Sequence, residues 1–233
     1  MSKVFNSIYD LFMSQQPYAK YAQCYLRAIG DRDCSDILEA GCGSGLFIKA
    51  MNDLGLKPAG LDRDKQMLKL AKKRTSAHVY HGDICSFSSE KRWDVIYLPL
   101  DVLNYLSRYQ LKKALTNLAL ILKEDGIIVF DVHGRKRARV MHGAFAKESI
   151  NDAQYLLKSR RRGSYLVYDV DSKFNGKQEK YRLKQRIHSV NEIKWAIRRS
   201  NLVLDDCFRA WDLGVPNRHA ERLLFVCSKK QRH

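Results

Sequence analysis

The stretch Ile37-Leu38-Glu39-Ala40-Gly41-Cys42-Gly43-Ser44-Gly45-Leu46-Phe47-Ile48 decides how the chain is read. A short apolar run gives way to glycines at every second position, and an amphipathic, helix-like pattern begins at Leu46. The order is strand, tight glycine turn, helix start. Glycine is required where backbone takes a positive φ or lies directly against a ligand. The free N–H groups of such a turn, and of the helix start behind it, favour an anionic or electron-rich ligand group. The stretch predicts a cofactor site at a strand-to-helix switch.

Outward from this turn the chain alternates. Before it, Val4, Phe5, Ile8, Leu11 and Phe12 fall at helical spacing, Pro17 breaks the pattern, and a second helix is expected from Tyr18 through Ile29. Strand one is expected over 36–40 and a helix over 46–54, with Gly55 suited to its C-terminal cap. Strand two runs from Pro58 to Asp62, a helix from Asp64 to Arg74, and strand three from His78 to His81. Trp93–Leu98 reads as strand four, and an amphipathic helix from Tyr109 to Leu122 carries Leu111, Leu115, Leu118 and Leu122. Asp125-Gly126 is expected to turn the chain into strand five, Ile127–Phe130, a buried run of the parallel-sheet kind. Strands alternating with helices of this length predict a doubly wound α/β sheet.

The pattern changes after Asp131. Residues 133–139 are basic and aperiodic, and Tyr165–His188 alternates, with Leu166, Tyr168 and Val170 followed by Tyr181, Leu183 and Ile187. Asn175-Gly176 between the two runs is a hairpin signal, because a type I′ turn needs positive φ at both positions. An inserted antiparallel β lobe is therefore expected over 135–188, with 1–134 and 189–233 forming the core. Ser189 with Glu192 is a capping box opening a further helix. Leu202–Trp211 and Arg222–Cys227 then read as an antiparallel hairpin at the sheet edge.

Length and composition set the class. The 233 residues are 45% hydrophobic and 10% aromatic, enough to bury a core. No apolar run reaches membrane-span length and the N-terminus lacks a signal-peptide core, so a cytoplasmic protein is expected. Six cysteines are scattered with neither a C-x-x-C pair nor zinc spacing, and no metal is expected. The formal net charge is +17, concentrated over residues 132–200, which hold 18 basic and 6 acidic side chains. That excess suits an anionic partner or substrate, or a solvated basic surface.

Two cofactors compete for the glycine turn. A nicotinamide site wants G-x-G-x-x-G, and here the position after Gly45 is Leu46. Glu39 stands two residues before Gly41, where a carboxylate suits a cationic ligand group. S-adenosylmethionine carries such a group in its α-ammonium and has no pyrophosphate, which favours the methyl donor. Asp62, seventeen residues past Gly45, is placed to accept the ribose hydroxyls. Asp83 is placed to meet the adenine amino group, with Ile84 against the ring. Asp64 is the competing acid, in a position that suits a helix N-cap.

On these residues the chain resembles the class I S-adenosylmethionine-dependent methyltransferases. It matches their glycine motif (Glu39 to Gly45), acidic loop (Gly60-Leu61-Asp62), Gly82-Asp83, and the Leu122 to Gly126 turn. More narrowly it is similar to a bacterial small-molecule-type subgroup, through Tyr9-Asp10, Pro17-Tyr18, Asp101-Val102-Leu103-Asn104-Tyr105 and Glu221-Arg222. The resemblance implies a Rossmann-like, seven-stranded sheet with its last strand antiparallel, a β lobe inserted after strand five that covers the site, and Tyr9 and Tyr18 folding over the cofactor. Gly41, Cys42, Gly43 and Gly45 would line the donor site, Cys42 as a small residue without redox work.

The reaction implied is in-line displacement at the sulfonium methyl, which needs positioning and exclusion of water more than a protein nucleophile. A base helps only an acceptor that arrives protonated. His133 and Asp101 are the candidates, with Asn104, Tyr105 and Asp131 nearby, all at the ends of strands four and five. A small-molecule acceptor is expected first. RNA comes next, through Arg135–Arg139 and Lys158–Arg162 with their interleaved tyrosines, and then an acidic carrier protein. A non-catalytic cofactor-binding module and an NAD-dependent oxidoreductase are the remaining rivals.

Overall fold

A computed structural model describes residues 3–231; the side chains of residues 3–5 and 7, including Val4 and Phe5 of the N-terminal apolar set, lie outside the described residues. Two helices, α1 (Lys3–Met13) and α2 (Tyr18–Ile29), precede β1 (Ile37–Ala40), α3 (Leu46–Asn52), β2 (Ala59–Asp62), α4 (Lys65–Thr75) and β3 (Val79–His81). Then come β4 (Trp93–Leu98), a 3-10 turn over Val102–Tyr105, α5 (Arg108–Leu120) and β5 (Leu122–His133). Two C-terminal strands, over Leu202–Arg209 and Arg222–Lys229, complete the seven-stranded sheet. Its order is β3, β2, β1, β4 and β5, then the last strand and finally the one before it. All neighbours are parallel except the last strand, which is antiparallel to both of its own. This is the doubly wound sheet with one reversed strand that the sequence predicts.

The central strands are apolar on both faces because helices cover both. Leu38, Ile96, Ile128 and Phe130 meet α5 and a later helix over Val190–Arg198 on one side. Ile37, Val95, Tyr97 and Val129 meet α2 and α3 on the other. The starts of α4 and α5 are fixed by side-chain caps. Asp64 accepts the Gln66 and Met67 N–H groups of α4, and Ser107 with Gln110 forms a capping box on α5.

β5 departs from expectation. It begins at Leu122, which belongs to the strand and not to the helix before it, and passes through Asp125-Gly126 without a chain reversal. Trp93 pairs with Leu122 and Val95 with Ile127, so the three extra residues of β5 are absorbed as an irregularity in the ladder. Gly126 sits there because a Cβ would lie 2.8 Å from the Trp93 carbonyl. The strand also runs past Asp131 to His133, carried by pairing with the last strand.

After β5 the chain forms a short helix, α6 (Arg135–Val140), which the aperiodic basic stretch concealed. A second sheet follows, of β6 (Phe145–Ile150), β7 (Ala153–Arg162), β8 (Tyr165–Phe174) and β9 (Lys177–Arg186), antiparallel throughout and in that order. The Asn175-Gly176 turn joins the last two of these, with both φ values positive. Leu166, Tyr168 and Val170 pack with Tyr155, Leu157, Tyr181 and Leu183 on one face. That inner face turns toward the core domain, and Phe12 of α1 meets the edge of Tyr155 at 4.2 Å between ring centroids. Helix α7 (Val190–Arg198) opens on the Ser189–Glu192 capping box, and β10 (Leu202–Arg209) and β11 (Arg222–Lys229) close the main sheet. Among the described residues no helix is long and apolar enough to cross a membrane. No group of three or more His, Cys, Asp or Glu there is placed to hold a metal.

Candidate functional site

A cavity of about 740 Å³ opens outside the C-terminal ends of β1, β2 and β4, the crevice where strand order reverses. The glycine turn forms its floor. Gly41, Gly43 and Gly45 have φ of 83°, 52° and 78°. The requirement is sharpest at Gly41, where a Cβ would stand 2.7 Å from both Val102 methyls. Gly41 and Cys42 both donate to the Leu61 carbonyl, at 2.6 and 3.0 Å, which ties the turn to β2. Gly41, Cys42 and Gly43 line the cavity. Gly45 does not; it is packed against Ala71 and Thr75 of α4, so its role is helix contact rather than ligand contact.

The three acids lie along the wall in series. Glu39, 3% exposed, has an Oε2 with no hydrogen-bond partner among the described residues. Burial, with Asp62 beside it, pushes the Glu39 carboxyl well above the usual carboxylate range. A buried acceptor of this kind is built to meet a cation. Asp62 accepts from the Gly43 N–H with one oxygen and from the Asp64 N–H with the other, both at 2.8 Å. Each oxygen keeps a second lone pair for a ligand hydroxyl. Burial raises the Asp62 carboxyl in spite of these two donors. Asp83 is anchored by the Cys85 N–H at 2.7 Å and reaches the far end of the cavity with Ile84 beside it. Spacing, acidity and the orphaned Glu39 oxygen fit S-adenosylmethionine.

Helix α1 roofs the floor. Tyr9 and Met13 face the cavity, as does Tyr18 at the start of α2. Burial, then Tyr18 and nearby acids, keep the Tyr9 phenol far above neutrality; burial and Glu39 do the same for Tyr18. A strap that sequence reading missed holds α1 in place. Arg74 donates to the Ser44 carbonyl of the glycine turn and, at 2.8 Å, to Asp10 of α1. The side-chain amide of Asn6 reaches Asp64 at 3.2 Å. The lobe adds Leu183 to the wall, opposite Tyr105, Leu106 and Gln110.

The two candidate bases do not reach this space. Neither Asp101 nor His133 lines the cavity. His133 is 2% exposed, its Nε2 lies 2.8 Å from Gln185 of the lobe, and its Nδ1 lies 3.2 Å from Asp101. Burial lowers its proton affinity, against the opposing pull of Asp101. Asp101 is ion-paired to Arg222, and although it opens the 3-10 turn its side chain makes no capping bond. Asn104, fully buried, accepts the His133 N–H at 3.1 Å and donates to the Arg186 carbonyl of β9. These side chains are bolts between lobe and core.

At the centre of the bolts is Arg222, the first residue of β11, held between Asp101 and Asp131. Burial alone would lower its proton affinity, but the two carboxylates outweigh burial and raise it. Asp131, with a side chain 0% exposed, also accepts from the Tyr25 hydroxyl at 2.7 Å and from the N–H groups of Leu100 and Asp101 at 2.7 and 3.1 Å. Leu100 and Asp101 both have left-handed backbones, φ 58° and 71°. Two such residues in a row cost about 1–3 kcal/mol each and persist only when their surroundings over-determine them. Here the Asp131 carboxylate does so, and the turn it holds presents Pro99 and Leu100 to the cavity.

Fold and site together define a class I methyltransferase architecture. Residues 37–126 match the family model described as a methyltransferase domain. A protein of Geobacillus sp. (strain WCH70), provisionally named a methyltransferase, is 22% identical over 95% of this chain and 96% of its own length. Among solved structures, an S-adenosylmethionine-dependent methyltransferase from Clostridium acetobutylicum superposes with a TM-score of 0.85 at 18% identity, covering 97% of this chain and 98% of the other. A sugar N-methyltransferase from Streptoalloteichus sp. gives 0.81 at 18% identity, with 96% and 93% covered. The chain thus carries a methyltransferase domain over residues 37–126 and shares the fold of S-adenosylmethionine-dependent methyltransferases.

Proposed function

We propose that the chain methylates a small molecule held between Tyr9, Met13, Tyr105 and Leu183, beside the donor site. The observation that carries this reading is the roof. α1, through Tyr9 and Met13, and the lobe, through Leu183, border the cavity, and its 740 Å³ falls within the roughly 300–1,000 Å³ of small-ligand sites. The structurally similar sugar N-methyltransferase also acts on a small acceptor. Residues 135–188 are read as the cover, on a core of 1–134 and 189–233. All six cysteines are free, which fits work in a reducing cytoplasm.

In this reading Glu39 meets the donor's ammonium, Asp62 its ribose hydroxyls, and Asp83 with Ile84 its adenine. S-adenosylmethionine, when bound, supplies an electrophilic methyl on a neutral leaving group. The chain's own contribution is alignment and dryness. α1 and Leu183 exclude water, while the Pro99–Leu100 turn, fixed by Asp131, shapes the wall at the reacting end. Tyr9 and Tyr18 keep their protons at neutral pH and act as hydrogen-bond donors, not bases. An acceptor atom that arrives with a free lone pair, as in an uncharged amine, needs no base.

Incubation with methyl-labelled donor and fractionated cell extract tests this directly. Label is expected in the dialysable small-molecule fraction. Label retained in RNA or protein would overturn the proposal.

A further inference from the structure

The inner face of the lobe sheet is accounted for by the cavity and α1, but its outer face is not. Strand alternation places Lys158, Arg160 and Arg162 of β7 outward, and the register sets them across β8 from Arg182, Lys184 and Arg186 of β9. Between these two rows β8 presents Tyr165, Val167 and Asp169. Lys147 on β6, Lys173 on β8 and Lys180 on β9 extend the same face. Only Asp169 and Asp171 oppose them there. Asp169 takes up Arg160 and Arg182, Asp171 lies 3.9 Å from Lys180, and Arg186 pairs with Glu192. Lys147, Lys158, Arg162, Lys173 and Lys184 have no acidic partner among the described residues.

We infer that this outer face is a docking surface for single-stranded nucleic acid, separate from the methyl-transfer cavity. Its geometry is what distinguishes it from a merely basic surface. Residues two apart on a strand are about 6.8 Å apart, and the two cationic rows, separated by one strand, stand about 10 Å apart. The first distance is roughly twice the 3.4 Å stacked rise per nucleotide, the spacing of phosphates along an unstacked strand. Aromatic surface lies within the grid. Tyr165 sits beneath the Arg186 guanidinium, 5.5 Å from its ring centroid, and Phe145, 59% exposed, borders Lys158. Cationic rows that track the backbone, with rings on which bases stack, are the elements of sequence-tolerant single-strand binding.

A carrier protein is the rival anion, and orientation decides against it. A carried acyl group must enter the cavity, whereas this face points away from it, Leu183 and Tyr168 lying on the opposite side of the same sheet. The inference does not depend on the identity of the small acceptor.

Anisotropy of a labelled oligouridine of about 20 nucleotides, titrated with the full chain, tests it. With the five unpaired cations each on a phosphate, log affinity should fall against log salt with a slope of about −3.5, a loss of about two orders of magnitude between roughly 50 and 200 mM salt. The triple variant Lys158→Glu, Arg162→Glu, Lys184→Glu removes three of those contacts. It should bind at least tenfold more weakly at the lower salt, with a slope shallower by about 2. Its melting temperature and its affinity for S-adenosylhomocysteine should be unchanged, because none of the three lines the cavity. No binding at the lower salt, or equal binding by wild type and variant, would overturn the inference. So would capture of an acidic carrier protein or anionic vesicles by a chain that ignores the oligonucleotide.

Discussion

Replacing Arg222 by methionine keeps an unbranched apolar stem and removes the guanidinium with its charge and donors. In the wild type that guanidinium is the shared counter-ion of Asp101 and Asp131, whose side chains are 16% and 0% exposed. Removing one partner from a buried ion pair costs about 3–5 kcal/mol, because the remaining charge is left without compensation. For a domain of this size each kcal/mol moves the melting point by about 2–4 °C, so a drop on the order of 10 °C is expected at neutral pH.

The pH dependence provides a second, sharper readout. In the wild type Arg222, followed by His133, holds the Asp101 carboxyl below its ordinary range in spite of burial. A carboxylate with a depressed folded value adds stability above its unfolded pKa and loses it as pH falls through the folded one. In the variant the sign reverses. Two buried carboxylates without a counter-ion take up a proton more readily folded than unfolded, so stability rises as pH falls. The gap in melting temperature between wild type and variant should therefore narrow from pH 8 to pH 5, measured by scanning calorimetry in matched buffers. A gap under about 3 °C, or one that is flat across that range, would refute the reasoning. Methyl transfer should fall as well, since the Leu100–Asp101 turn loses its neutralised anchor.

Three further outcomes follow from the donor site. Asp62→Ala should weaken S-adenosylhomocysteine binding at least tenfold, about 1.4 kcal/mol, by calorimetric titration, with the secondary structure intact by circular dichroism. Glu39→Gln should stabilise the ligand-free protein by about 1–3 kcal/mol, seen as a higher melting point, while weakening donor binding. The sign follows from the raised folded value of Glu39: its charged form costs stability as pH rises through that value, and glutamine has no such cost. Gly41→Ala puts a methyl 2.7 Å from Val102 on a left-handed residue and should cost at least 1–2 kcal/mol in chemical denaturation. The double variant with Val102→Ala should recover the part due to the clash.

Much of this architecture was legible because local physics dictated it. The glycine turn announces itself through residues that must take positive φ, and the acids at the ends of β1 and β2 stand in the wall that the turn opens. Asn175-Gly176 and the Ser189–Glu192 box are similarly short-range signals, and both elements they mark are present. What escaped notice was decided by distant partners. Asp125-Gly126 looks like a turn, but pairing between Leu122 and Trp93 carries the strand through it. β7 hides its alternation behind the adjacent Leu156 and Leu157 and the run Arg160–Arg162. Only pairing with β8 shows which side each faces. His133 and Asp101 each look like a candidate base at the strand ends. Their ion network is not legible, because Arg222 lies 121 residues from Asp101. Arg74 likewise reads as one more charge at the end of α4 until α1 brings Asp10 to it across 64 residues.

The account rests on the cavity being a site for S-adenosylmethionine with Glu39, Asp62 and Asp83 as its polar wall. Calorimetric titration of the purified chain with S-adenosylhomocysteine and, separately, with NADH tests this most directly. Saturable one-to-one binding of S-adenosylhomocysteine, with no heat from NADH, is predicted. Tight NADH binding with no response to S-adenosylhomocysteine would contradict it.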